Sequence, residues 1–317
     1  MHRTRHHLQR FVLVVLTTLA LRSTVSAQTF SLEKHEAGVR VVHGEAMIAE
    51  YLKKSKTKPI IYPLLGPDGV KLTRDYPMVP DSQNEAHDHP HHRSFWFTHG
   101  EVNGHDFWAE GEKAGSIEHQ EFTQLDDGEQ AVIATRNLWK SVDGQPVLND
   151  HRRFTFGGDA DVRWLDCEIE LQASHGDVHF GDTKEGSFGI RMAESIKMDA
   201  KQGGNIVNSR GLTGGETWGQ PAEWVDYYGP VEGKTYGVAI LCHPSSFNFP
   251  NRWHVRTYGL FAANPFGVYH FTGDKEPTAG TTLAAGEKLI LKYRIVLHRG
   301  DATAANISKL YDEYVQP

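Results

Sequence analysis

From 161 to 172 the chain alternates without a break: Arg163, Leu165, Cys167, Ile169 and Leu171 fall on one side, Asp166, Glu168 and Glu170 on the other. Successive side chains of an extended chain point to opposite faces, so this run reads as a strand with one dry face and one wet face. The pattern recurs. Residues 39–42, 59–65, 94–99, 131–139, 152–156, 188–192, 235–242, 254–261 and 288–298 also read as strands, and turn signals such as Gly66-Pro67-Asp68-Gly69 and Gly157-Gly158-Asp159 stand between them. Many such runs at fairly regular spacing specify an all-β fold, a large antiparallel sandwich or barrel. Helical spacing is confined to the end, where Asp301 can cap a segment carrying Ile307, Leu310, Tyr311 and Tyr314. With no repeat and no linker, the sequence predicts one β-sandwich domain over 28–317 with a short C-terminal helix.

The first 27 residues stand apart. A basic start, an apolar run over 11–21 and the small residues Val25-Ser26-Ala27 have the order of a secretory signal peptide, with cleavage after Ala27. The expected destination is the periplasm or the exterior, and no later stretch is long and apolar enough to span a bilayer. Losing Arg3, Arg5, Arg10 and Arg22 takes the formal net charge from −7 to −11. Such an acidic surface repels phosphate backbones, so no nucleic-acid partner is expected. Cys167 and Cys242 lie in strand-like runs and fit a disulfide or two buried thiols equally well; neither belongs to a Cys/His zinc pattern.

Chemistry concentrates in 88–108, DHPHHRSFWFTHGEVNGHDFW. Imidazole has an unperturbed pKa nearest neutrality, so such a cluster suits proton transfer or metal binding. His91, His92 and His99, with Glu185 from a later strand, are the candidate acid/base groups. Arg93, Arg191, His105, Trp218 and His254 are candidates for binding substrate, Arg93 as a rigid fork of donors. His89, His91 and His92 are the candidate ligands should the cofactor be a divalent metal ion. A strand rises roughly 3.3 Å per residue, so His92 and His99, at opposite ends of 94–99, cannot share one small ion. The sequence predicts instead that at least three of His89, His91, His92, His99 and Arg93 face one cleft with Glu185 or Arg191. The HExxH of a zincin is absent, and no Glu follows His89-Pro90-His91 at cupin spacing.

The segments YPLLGPDGV, TRDYPMVPD, HDHPHHRSFWFTHGEVNGHDFW, DTKEGSFGIRM and HPSSFNFPNRWHVRTYGLFAANPFG together resemble the bacterial exported family labelled "methane oxygenase PmoA". The methane monooxygenase subunit of that name is an integral membrane protein, so the label does not translate into a function here. His99-Gly100, Gly104 and Asp106-Phe107-Trp108 are similar to the HGG…GF…W stretch of aldose 1-epimerases. That resemblance implies a galactose mutarotase-like supersandwich. There, the histidine after the strand serves sugar ring opening; here Glu101 replaces the second glycine and His105 the phenylalanine. The leading expectation is an exported carbohydrate-active enzyme, an epimerase, lyase or hydrolase. A non-catalytic carbohydrate-binding protein is the alternative, and a copper- or iron-dependent oxidase is the third reading, which the family label implies.

Overall fold

Two eight-stranded antiparallel sheets face each other across a continuous apolar core. A computed structural model describes residues 29–274, 278 and 280–316, so the expected signal peptide and cleavage point lie outside the described residues. Side by side in the first sheet run Phe30–His35, Gly38–His43, Ala46–Ser55, Lys58–Leu64, Phe95–His99, Gly186–Arg191, Leu260–Asn264 and Arg252–Val255. The second orders Asn205–Asn208, Trp224–Val231, Lys234–Cys242, Lys288–Arg299, Val162–Gln172, Pro146–Gly158, Ala131–Lys140 and Ser116–Asp126. This is the large antiparallel sandwich that the alternating runs specify.

The strand Val162–Gln172 shows how the pattern works. Leu165, Cys167, Ile169 and Leu171 are buried between the sheets. On the outer face, Asp166 and Glu168 stand directly opposite Arg294 and Lys292 of the neighbouring strand and pair with them. Facing opposite charges support a register, and a one-residue slip would also turn the apolar row outward. Cys167 and Cys242 are both free and buried.

In the first sheet the same alternation builds the floor of a site. Phe95 and Phe97 point into the core, whereas Trp96 points out and packs with Ile60, Trp108, Leu260 and Ala262 in a smaller cluster on the outer face. Residues 254–261 form two strands rather than one: Arg252–Val255 and Leu260–Asn264 are joined by a tight turn in which Gly259, at φ +98°, donates its N–H to Arg256 O. A positive φ is cheap for glycine, and that freedom lets the chain reverse here. The C-terminal helix spans Ile307–Tyr314 and packs on the outer face of the second sheet, against Trp224, Leu241 and Val296. It starts later than the Asp301 cap suggests. Asp301 Oδ1 does accept the N–H groups of Thr303 and Ala304, but Asn306, at φ 55°, interrupts the backbone before the regular turns begin.

Candidate functional site

A cleft of about 440 Å³ opens on the outer face of the first sheet. Four chain segments line it: His89, His91 and His92 from the loop before Phe95–His99; Asp106, Trp108 and Ala109 from the loop after it; and, from the far side, Lys184 with Glu185 and His254 with Arg256 and Tyr258.

The first loop is held by a buried arginine. Arg74 donates to the carbonyls of Tyr76, Ala86 and His89 and, at 2.5 Å, to Asp88 Oδ1. Arg191 Nη2 reaches the same Asp88 oxygen at 2.8 Å, and its Nη1 donates to His92 Nδ1 at 3.2 Å. Burial alone would raise the Asp88 pKa, but the two guanidinium groups override it and bring it down to about 2. Thus pinned, the loop stacks its rings. Tyr258, His89, His92 and Trp96 lie nearly parallel in sequence, with centroid spacings of 5.2, 4.9 and 5.2 Å, while His91 meets His92 edge-on.

This stack leaves the metal expectation for His89, His91 and His92 without support. The rings pack on one another, His92 Nδ1 is already taken by Arg191, and among the described residues no group of three or more His, Cys, Asp or Glu side chains is placed to share an ion. The donor set does not fit a copper or iron centre.

The opposite wall carries the groups free to react. His254 donates Nδ1–H to the Lys184 carbonyl at 2.8 Å; a carbonyl can only accept, so the neutral ring keeps the proton on Nδ1 and leaves Nε2 as a base. Glu185 accepts from Lys184 Nζ at 2.6 Å through Oε1. The ring nitrogens of His91 make no hydrogen bond among the described residues. Burial, with Lys58 nearby, pushes His91 down to about 4, and burial pushes His254 down to about 4 against the pull of Glu185. Glu185 would be raised by burial, but Lys184 and the two imidazoles hold it below the ordinary value. At neutral pH the cleft therefore holds an ionised carboxylate beside two neutral imidazoles.

Several sequence candidates lie elsewhere. His99 is fully buried: its Nε2 donates to Gly181 O at 2.8 Å, its Nδ1 contacts Ser187 Oγ at 3.0 Å, and its ring packs on Phe266. It is a satisfied core histidine, not a cleft group. Gly100 beside it serves packing, since a Cβ there would stand 2.8 Å from Glu185 Cβ; glycine at 100 lets the Glu185 backbone come close. Arg93 does not form a substrate fork. It grips Glu110 with Nε at 2.6 Å and Nη2 at 2.8 Å, and gives Nη1 to Ser55. Arg191 is buried behind the histidine stack, and His105 sits in a tight backbone turn with Val102. Trp218 lines a neighbouring recess of about 270 Å³ that shares Arg256 with the cleft. Sequence reasoning missed the roles of Lys184, Arg256 and Tyr258, and of Arg74. Lys184 reads from the sequence as part of a solvated turn and Arg256 as one of a polar-aromatic set with Trp253 and His254; for Tyr258 the Tyr258-Gly259 dipeptide inside an assumed strand is the hint of a turn tip.

Residues 38–312 match the model of a family of unknown function, DUF6807, whose description assigns no activity and does not carry the methane oxygenase label. No curated protein matches the chain. Solved structures do. The GH36 alpha-galactosidase AgaB from Geobacillus stearothermophilus aligns over 87% of this chain at 10% identity and a TM-score of 0.36. A galactose mutarotase-like protein from Lactobacillus casei ATCC 334 aligns over 85% of this chain and 100% of its own, at 8% identity and a TM-score of 0.35. A Glycoside Hydrolase Family 97 enzyme from Pseudoalteromonas sp. strain K8 aligns over 86% of this chain at 10% identity and a TM-score of 0.32. The chain spans 40% of the alpha-galactosidase and 34% of the family 97 enzyme. Likeness this distant carries no argument about function.

Proposed function

The chain belongs to the DUF6807 family, and from that premise we propose that it is an exported carbohydrate-active enzyme that removes a carbon-bound proton from its sugar, as an epimerase or a lyase. The observation that carries this reading is the pairing of ionised Glu185 with the neutral imidazoles of His91 and His254 in one open cleft. Such groups are bases at neutral pH. Hydrolysis of a glycosidic bond by paired carboxyl groups needs one of them protonated to donate to the leaving oxygen. Imidazoles with pKa values near 4 and a carboxylate held low supply no such donor at neutral pH, which favours proton abstraction over hydrolysis. The base would take a proton from a carbon beside a carbonyl or carboxylate, and the C–H electrons would move onto that group. Lys184 and Arg256 would then stabilise the developing negative charge. In a lyase those electrons return to form C=C as the bond to the leaving oxygen at the next carbon breaks, and the leaving oxygen takes up the proton that the base has just accepted. In an epimerase the base gives the abstracted proton up to water, and a proton from water is added to the opposite face of the carbon as the electrons return to it. Trp108 and Tyr258 offer flat apolar faces against which the C–H side of a sugar ring can rest.

The test is incubation of the purified protein in deuterated water with a panel of oligosaccharides, including uronic-acid-containing ones, with and without chelator. Carbon-bound deuterium or an unsaturated product is expected, unaffected by the chelator and abolished in Glu185→Gln and in His254→Ala. Glycan binding without turnover would point to a carbohydrate-binding protein instead, and chelator-sensitive oxidation to the oxidase reading. Export is checked by mass spectrometry of the secreted chain, with a mature N-terminus at Gln28 as the expected result.

A further inference from the structure

The outer face of the second sheet carries another cleft, of about 430 Å³, between the edge strand Asn205–Asn208 and the segment leading into the C-terminal helix. Its lining differs in kind from that of the first cleft. Among the described residues no Lys, Arg or His lines it, and its one carboxylate is Asp301; the other polar groups are amides and hydroxyls, among them Asn208, Thr303 and Ser308. Trp224 and Tyr228 supply the aromatic wall. Neither of these two lines the first cleft.

Two polar atoms on this face are buried without a partner: Nδ2 of Asn208 and Oδ2 of Asp226. Asn208 is 1% exposed. Its Oδ1 accepts the N–H groups of Arg210 and Leu212, both at 3.0 Å. Those two contacts fix which end of the amide is which, because a flipped amide would set donor against donor. The unused group is therefore an N–H donor, on a residue that lines the cleft. Asp226 lies between Trp224 and Tyr228 on the same face of one strand, and its other oxygen is held by His298 at 3.0 Å. A buried donor or acceptor left unpaired is costly, and native folds rarely leave one without a reason.

We propose that this cleft is a second binding site, for a neutral glycan unit. With no cation in its lining, it offers nothing to a phosphate, sulfate or carboxylate. Aromatic faces take the C–H side of a pyranose ring, and amide and hydroxyl groups of both donor and acceptor kind take its hydroxyls. The volume falls within the range of roughly 300–1,000 Å³ usual for small-ligand pockets. Because it opens on the opposite side of the sandwich from the histidine cleft, it holds the protein on a polymer rather than extending the first site. The inference stands on its own residues and does not depend on the chemistry assigned to the first cleft.

The test is affinity electrophoresis of the full chain through native gels containing soluble xylan, mannan, galactan or β-glucan, with alginate as the anionic control. Thr303→Trp and Ser308→Trp fill the cleft from exposed positions, so both are expected to fold, with melting temperatures checking it. His91→Ala alters the other cleft. At least one neutral polymer should retard the wild type, both filling variants should weaken that interaction by about tenfold or more, equivalent to about 1.4 kcal/mol, and His91→Ala should leave it intact. Retardation by no neutral polymer overturns the proposal and leaves an ordered water as the partner of Asn208. So does retardation that survives both fillings, that disappears only in His91→Ala, or that is stronger with alginate.

Discussion

Two carboxylates beside the histidine cleft are held in opposite ways. Glu110, next in the chain to Ala109 of the cleft lining, is closed on every side: Lys58 Nζ donates to Oε1 at 2.9 Å, and Arg93 grips both oxygens. Its side chain is 6% exposed, and the Lys58 beneath it is wholly buried, with burial pulling that amine down to about 8 against the pull of Glu110. Glu185 has one partner, Lys184, and its side chain is 36% exposed. Both carboxylates are held below the ordinary range. The difference is closure. Glu110 has its charge answered within the fold and stabilises it; Glu185 has an oxygen to spare, facing two neutral imidazoles and an open cavity. The histidines divide in the same way, His99 satisfied at both nitrogens and His91 at neither.

The largest expected effect tests the open side. Glu185→Gln should lower turnover by about 10²–10⁴-fold, the usual range for a general acid or base, while moving the melting temperature little. Steady-state kinetics alongside thermal denaturation check this, and a large loss of stability with intact turnover would reverse the contrast.

On the closed side, Glu110→Ala leaves Lys58 and Arg93 as buried charges without a counter-ion. Breaking one partner of a buried ion pair costs about 3–5 kcal/mol, to be measured by chemical denaturation. Somewhat smaller is His99→Ala, expected to cost about 2–4 kcal/mol from the cavity and the unpaired Gly181 and Ser187 groups, with turnover per folded molecule nearly unchanged. A turnover loss at His99 as large as that at Glu185 would return His99 to the chemistry.

The smallest effect is a pH profile of stability with two arms of different origin. His91 and His254 have folded pKa values of about 4, below the unfolded value of about 6.5. Between those values the unfolded chain binds protons that the folded one refuses, so stability falls as pH drops from about 6.5 to about 4. His298 goes the other way. Burial would lower it, but the Asp226 carboxylate overrides that and raises it. Its contribution is fully present below about 6.5 and is lost as pH rises through the raised folded value. Melting curves across pH should show His91→Ala flattening the acid arm and His298→Gln the alkaline arm.

How much of this was legible depends on whether a feature is local. The alternation of 161–172 and its repeats specifies strands, and the turn signals specify antiparallel neighbours, because side-chain direction in an extended chain follows from adjacent residues alone. The same alternation already sets His99 on the face of Phe95 and Phe97, so its burial could have been read, had the histidine been weighed as a core residue and not as a reagent. The dense run His89, His91, His92 marks the site, yet nothing in it tells a ring stack from a metal centre. The stack needed Arg74 from the segment just before the loop, Arg191 from a distant strand, and Tyr258 at the tip of a turn.

By itself, then, the sequence determined the all-β sandwich, the wet and dry face of each strand, the placing of a helix at the end, and the segment where the histidines gather. Only the tertiary structure decided which ionisable groups are closed off and which are left open. Glu110 and Glu185, or His99 and His91, carry the same functional groups. What separates them is the company brought from elsewhere in the chain, Lys58 and Arg93 to Glu110, Ser187 and Gly181 to His99, and Glu185 and His254 to the histidine cleft. Desolvation and hydrogen bonding act over a few ångströms in space with no regard for distance along the chain, and these set whether a charge serves stability or reaction.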